Sequence, residues 1–157
     1  MGRTPLYREF TPDFAKVSGF LSDAQLEANK VAFVREFMAR AEFRNRYDAL
    51  TDPAAYVNAL VSTAGVTPAN KQQLIDDLAA GRKTRAEVLR AIVESTEVYQ
   101  KFYNEAFVVM QYFGYLRRDP DILYLNWIQT MNQNGGDYRV MINGFMNSSE
   151  YFLRFGP

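Results

Sequence analysis

Acidic pairs are the first residues in this chain with a type and spacing suited to chemistry: Asp76-Asp77, and Asp119 with Asp121. Two carboxyl groups facing one cleft can hydrolyse a glycoside without histidine. Adjacent residues on a helix point about 100° apart, however, and Asp119 ahead of Pro120 has the form of a helix cap. The 157 residues include no histidine and no cysteine. That removes the commonest general base, the commonest zinc ligands, every thiolate and every Ser-His or Cys-His nucleophile pair. The expectation is therefore a chain with no catalytic residues, no cofactor and no metal ligands.

Two further groups carry binding chemistry. Asn132-Gln133-Asn134-Gly135-Gly136-Asp137 offers oxygen ligands near glycine, as calcium loops do, without the bidentate glutamate such loops place at their twelfth position. Asp137 as a helix cap after a glycine turn is the simpler reading. Tyr112, Tyr115, Tyr124, Trp127 and Tyr138 form a candidate interaction surface for a protein partner or a glycan, because rings bury large area at low entropic cost. Aromatics at helical spacing more often pack inward, which is the competing expectation for all five.

Charge excludes some partners. Lysine plus arginine equals aspartate plus glutamate, 18 each, so no net field attracts nucleic acid. No apolar run approaches the roughly 20 residues that span a bilayer. The opening MGRTPLYREF lacks the apolar core of a secretory signal. Either a cytosolic chain or a piece of a longer exported protein is expected.

The elements that must position these groups read as helices throughout. The spacing of Tyr99, Phe102, Tyr103, Ala106, Val109, Met110, Phe113 and Leu116 predicts a long central helix over 97–116. Residues 1–21 carry Pro5, Pro12 and Gly19 among aromatics and read as an irregular arm lying across a helical body at 22–157. Ser22 with Gln25 and Thr84 with Glu87 have capping-box spacing. Asp52-Pro53, Thr67-Pro68 and Asp119-Pro120 are cap-plus-proline starts, and Ser148 or Ser149 caps a last turn through Phe155. Gly81 stops the helix that Pro68 opens. The expected fold is all-α, a single compact domain of about seven to eight helices.

An internal echo refines this expectation. Phe33-Val34 recurs as Phe107-Val108, Asp52-Pro53 as Asp119-Pro120, and Tyr56-Val57-Asn58 as Tyr124-Leu125-Asn126. Glu94-Ser95-Thr96-Glu97 recurs as Asn147-Ser148-Ser149-Glu150. Four matches in one order predict two similar helical units, roughly 26–102 and 103–156.

Several of these residues also carry a family resemblance. Phe33-Val34, Thr84 to Leu89 with Glu94-Ser95, Gln111 to Asp121 (QYFGYLRRDPD) and Asn147 to Tyr151 resemble the bacterial module known as domain of unknown function 4214, over roughly Leu26 to Gly156. A more distant similarity is to linker domains of cyanobacterial light-harvesting antennae. The resemblance implies an α-helical module of exported or cell-surface proteins, used structurally, with no established catalytic residues to carry over. Related sequences often insert an Asp-rich segment before the Tyr-x-x-Trp motif. Here Asp121 runs almost directly into Tyr124 and Trp127, which puts in doubt any ligand of that segment. The leading expectation is thus a non-enzymatic structural or interaction module, extracellular or at the cell surface, engaging a protein partner or a second copy of itself. A carbohydrate-binding module and a carboxylate-only hydrolase are the alternatives.

Overall fold

The computed structural model describes residues 2–19 and 22–156, and these are all-helical, with no strand among them. Ten α-helices and one π-turn follow in order: α1 (Tyr7–Val17), α2 (Asp23–Met38), α3 (Ala41–Tyr47), α4 (Pro53–Ala64), α5 (Lys71–Ala79), α6 (Arg85–Val93), α7 (Thr96–Gln111), the π-turn (Tyr112–Leu116), α8 (Tyr124–Gln133), α9 (Arg139–Met146) and α10 (Ser149–Phe155). The count exceeds the expected seven to eight because α1 and α3 are helices in their own right. Arg40 is extended, at φ −66° and ψ 140°, and separates α3 from α2.

The arm expected to be irregular at 1–21 is mostly helix, its ends at Met1, Phe20 and Leu21 lying outside the described residues. Tyr7, Phe10, Phe14 and Val17 share one face at three- and four-residue steps, and that periodicity prevails over the single interior Pro12. The backbone N–H of Leu6 donates to Glu9 (2.9 Å) and satisfies the helix start.

Local caps behave as their chemistry dictates at four starts. Ser22 accepts from the Gln25 N–H, Asp52 from Ala55, Thr84 from Glu87 and Ser148 from Tyr151. Thr84 and Glu87 close a full capping box, with Glu87 accepting from the Thr84 N–H at 2.7 Å. Two proline starts differ from expectation. α5 begins at Lys71 rather than Pro68, because the Ala69 N–H donates to the Glu97 carboxylate (2.7 Å) and anchors the preceding turn outside the helix. α8 begins at Tyr124 rather than Pro120. Arg117 takes the left-handed φ of 49°, and Asp121 is drawn to Arg118 (2.8 Å) and the Leu123 N–H (3.0 Å) instead of letting Asp119-Pro120 open a helix.

Contacts divide the chain into two compact units, 1–101 and 102–157. In the first, Phe43, Tyr47, Tyr56, Val57, Leu60, Leu74, Val88 and Ile92 form a closed core. Tyr47 and Tyr56 meet edge to face at 6.1 Å, and the Arg85 guanidinium lies 3.8 Å over the Tyr56 ring while donating to the carbonyls of Tyr47 and Leu50. In the second, Val108, Val109, Tyr112, Phe113, Leu116, Met131, Met141 and Phe145 are buried.

Candidate functional site

The five aromatics of the candidate surface do not form one exposed platform. Tyr112 is 3% exposed and belongs to the core, edge-on to Phe145 at 4.8 Å. Burial, with Asp121 beside it, pushes its hydroxyl up to about 12. Tyr115 and Trp127 are half-buried and also gather at Phe145, with ring centres 6.2 and 6.1 Å away. Tyr124 is half-buried. Tyr138 is exposed and stacks obliquely on Phe107 at 5.4 Å. Gly144, which the sequence reading passed over, admits the indole: a methyl there would stand 2.9 Å from Cη2 of Trp127.

Two sequence motifs meet around Arg118. Its guanidinium grips Glu150 in bidentate fashion (Nε–Oε1 2.6 Å, Nη2–Oε2 2.7 Å), reaches Asp121 Oδ2 at 2.8 Å, and lies 5.1 Å over the Tyr112 ring. Tyr112 donates to the other Asp121 oxygen at 3.3 Å, and Arg154 adds a contact to Glu150 at 3.2 Å. Arg118 holds the Glu150 carboxyl below the ordinary range. The Arg-Arg-x-Pro-Asp and Ser-Ser-Glu segments therefore form a clasp that fastens α10 to the turn ahead of α8. Arg117 completes it over the Phe155 ring at 5.0 Å.

The candidate acids are paired rather than poised. Asp77, 8% exposed, accepts from Arg82 (2.7 Å) and Gln73 (2.8 Å), and Arg82 draws its carboxyl downward. Asp76 accepts from Gln72 at 2.9 Å. Among the described residues, every carboxyl shifted from its ordinary value is shifted down: Glu9, Glu27, Asp77, Glu87, Glu97 and Glu150. A general acid requires the opposite shift.

In the 132–137 loop, Asn132 accepts from Asn104 (2.6 Å), the Gly136 N–H closes onto the Met131 carbonyl (2.8 Å), and Asp137 accepts from the Arg139 N–H (3.0 Å). Asp137 thus makes a local turn one residue ahead of the α9 cap position, which Tyr138 occupies. No cluster of three or more acidic groups that could hold a metal ion occurs among the described residues.

What the sequence reading missed is apolar surface. Ile122 and Leu153 stand 74% and 88% exposed, and Leu123, Leu125, Phe152 and Phe155 are exposed as well. Ile122 and Leu123 face solvent because the chain is a turn there, and the helix expected to bury them begins at Tyr124. Among the described residues, no helix is long and apolar enough to cross a membrane. No family model, curated protein or solved structure matches the chain.

Proposed function

We propose that this chain is a non-enzymatic interaction module that self-associates through the apolar end of its second unit, as part of an exported or cell-surface bacterial protein. The observation that carries the reading is the exposure of Ile122, Leu123, Leu125, Phe152, Leu153 and Phe155 on segments that Arg118 fastens together through Asp121 and Glu150. Side chains of this size, exposed to this degree, present on the order of 100 Å² each. Together the six expose roughly 600 Å², comparable with the ~800 Å² one partner contributes to a standard interface. A second copy suits this face because the chain carries 18 charges of each sign, so no net repulsion keeps copies apart. The placement outside the cell rests on the resemblance to domain of unknown function 4214. Downward-shifted carboxyls in guanidinium pairs support a structural role over hydrolysis.

The test is molar mass by light scattering over a hundredfold concentration range, for the parent chain and for Leu153→Glu with Ile122→Glu. The parent forms a defined oligomer at the higher concentrations, and the double variant stays monomeric with an unchanged helical circular dichroism spectrum. A parent monomeric throughout would remove the proposal.

A further inference from the structure

The first unit holds a cavity of about 450 Å³ between α1 and α2. Its floor is Phe10, Phe14, Val17, Phe33 and Phe37. The two helices bring these groups together without closing on them, since neither α1 nor α2 contains a buried residue. An amphipathic helix ordinarily buries its apolar stripe against its neighbour. Here Phe10 and Phe14 stack on each other at 5.4 Å, Phe14 is exposed, and space remains beside Phe33 and Phe37, whose rings lie 6.1 Å apart.

Ion pairs hold α1 in place instead. Arg3 binds Glu9 (2.8 Å) and reaches Glu42 (3.2 Å); Arg40 binds Asp13 at 2.5 Å while lying over Phe37 at 5.1 Å; and Lys16 pairs with Glu36. At the cavity rim both guanidinium groups are thus already matched by carboxylates, and the carboxylates outnumber them. An anionic ligand would have to displace Glu9 or Asp13 from its arginine. A ligand cation would find the carboxylates engaged.

We infer that this cavity is a binding site for an uncharged, predominantly apolar small molecule with an aromatic ring or a short hydrocarbon chain. Size favours a small molecule over a peptide: one turn of helix with its side chains, about 10 Å wide and about 5.4 Å long, takes up roughly 400 Å³, so a peptide would seat scarcely one turn. The cavity lies within the ordinary small-ligand range of about 300–1,000 Å³. Its walls supply ring faces and edges, beneath a rim whose charges are already paired.

The test uses the full chain and the neutral dye N-phenyl-1-naphthylamine, whose emission rises in apolar surroundings. Saturable one-to-one binding is expected. Dodecanol should displace the dye at least tenfold more effectively than dodecanoate at pH 8. Val17→Trp, which fills the floor, should weaken dye binding tenfold or more. Leu153→Glu, on the second unit's apolar end, should leave it unchanged whether or not that end self-associates. Because Val17→Trp is able to dislodge α1 outright, amide chemical-shift mapping on the parent chain provides an independent reading: dye-induced shifts concentrate at residues 7–17 and 33–40. Non-saturable binding, shifts centred on 122–155, loss of binding in Leu153→Glu, or equal competition by dodecanoate would each overturn the inference.

Discussion

The two units solve the same problem with unequal means. Residues 1–101 bury a closed core of large side chains, and among the described residues expose Phe14, Val31, Val93 and Tyr99 as large apolar groups. Residues 102–157 form a smaller body of short helices and expose Ile122, Leu123, Leu125, Val140, Phe152 and Leu153, with others besides. The difference follows from surface-to-volume scaling: a smaller unit buries a lower fraction of its apolar surface whatever its sequence. The second unit fastens its last helix with the ion-pair clasp at Arg118 and leaves more large apolar groups exposed.

The largest effect that would sharpen this contrast comes from emptying each core in turn. Phe145 is the ring on which Tyr112, Tyr115 and Trp127 converge, so Phe145→Ala should cost about 3–5 kcal/mol. Leu74→Ala in the first unit should cost about 2–5 kcal/mol. By amide hydrogen exchange, Phe145→Ala is expected to strip protection from 102–157 while 1–101 keeps its slowest amides, and Leu74→Ala to weaken the first unit without unfolding it. Loss of protection across both units in either variant would break the comparison and make the chain one cooperative body.

The contrast also marks how far the sequence could be read. The all-α class, the caps at Ser22, Asp52, Thr84 and Ser148, and the long helix as far as Gln111 were legible because each depends on neighbours within four residues, whereas the change to a π-turn over Tyr112–Leu116 was not. Nor was the late start of α5, because the deciding bond, Glu97 to Ala69, joins positions far apart in sequence. At α8 the Arg118–Asp121 and Asp121–Leu123 bonds are local but compete with an equally local Asp-Pro start, and only the Arg118–Glu150 pair that anchors the turn is long-range. The helix at 7–17 was hidden by Pro12, a breaker weighed above a clear apolar stripe. At the candidate surface, Tyr112 obeyed the ordinary tendency of ring residues on helices to face inward. The exposure of Ile122 and Leu123 follows from the turn that Asp121 makes with Arg118 and the Leu123 N–H, which takes the place of the helix expected from Asp119-Pro120.

A smaller effect separates the caps. Thr84 closes a reciprocal box, whereas Ser148 accepts one N–H, from Tyr151 at 3.1 Å, and donates to the Phe145 carbonyl at 2.8 Å. Thr84→Ala is expected to cost about 1 kcal/mol in urea unfolding, within the usual range for a lost cap. Ser148→Ala should cost a similar amount or less, with the loss confined to α10 and visible as faster exchange at 149–155. Equal spread of the Ser148→Ala effect over all of 102–157 would mean that α10 is integral to the second core and not an appended, clasped segment.

The smallest effect tests the clasp itself through pH. Arg118 lowers the Glu150 carboxyl, so the stability this pair contributes is present above the ordinary glutamate value near 4.3 and is lost as pH falls through the lower folded value. Glu150 is 34% exposed, and discounting for solvent screening leaves about 0.5–1 kcal/mol. The difference in urea midpoint between the parent and Glu150→Gln should therefore be constant from pH 7 to about 5, shrink below about 4, and vanish in stronger acid. In the first unit, Arg3, itself 44% exposed, draws Glu9 down to about 2, and this more solvent-exposed pairing should be screened away by added salt. The Glu150 pair should persist in part, because the Arg118 guanidinium rests on the Tyr112 ring and is largely withdrawn from water. If 0.5 M salt erased both differences equally, the clasp would be an ordinary surface ion pair, and the apolar end of the second unit would have no rigid frame on which to recruit a second copy.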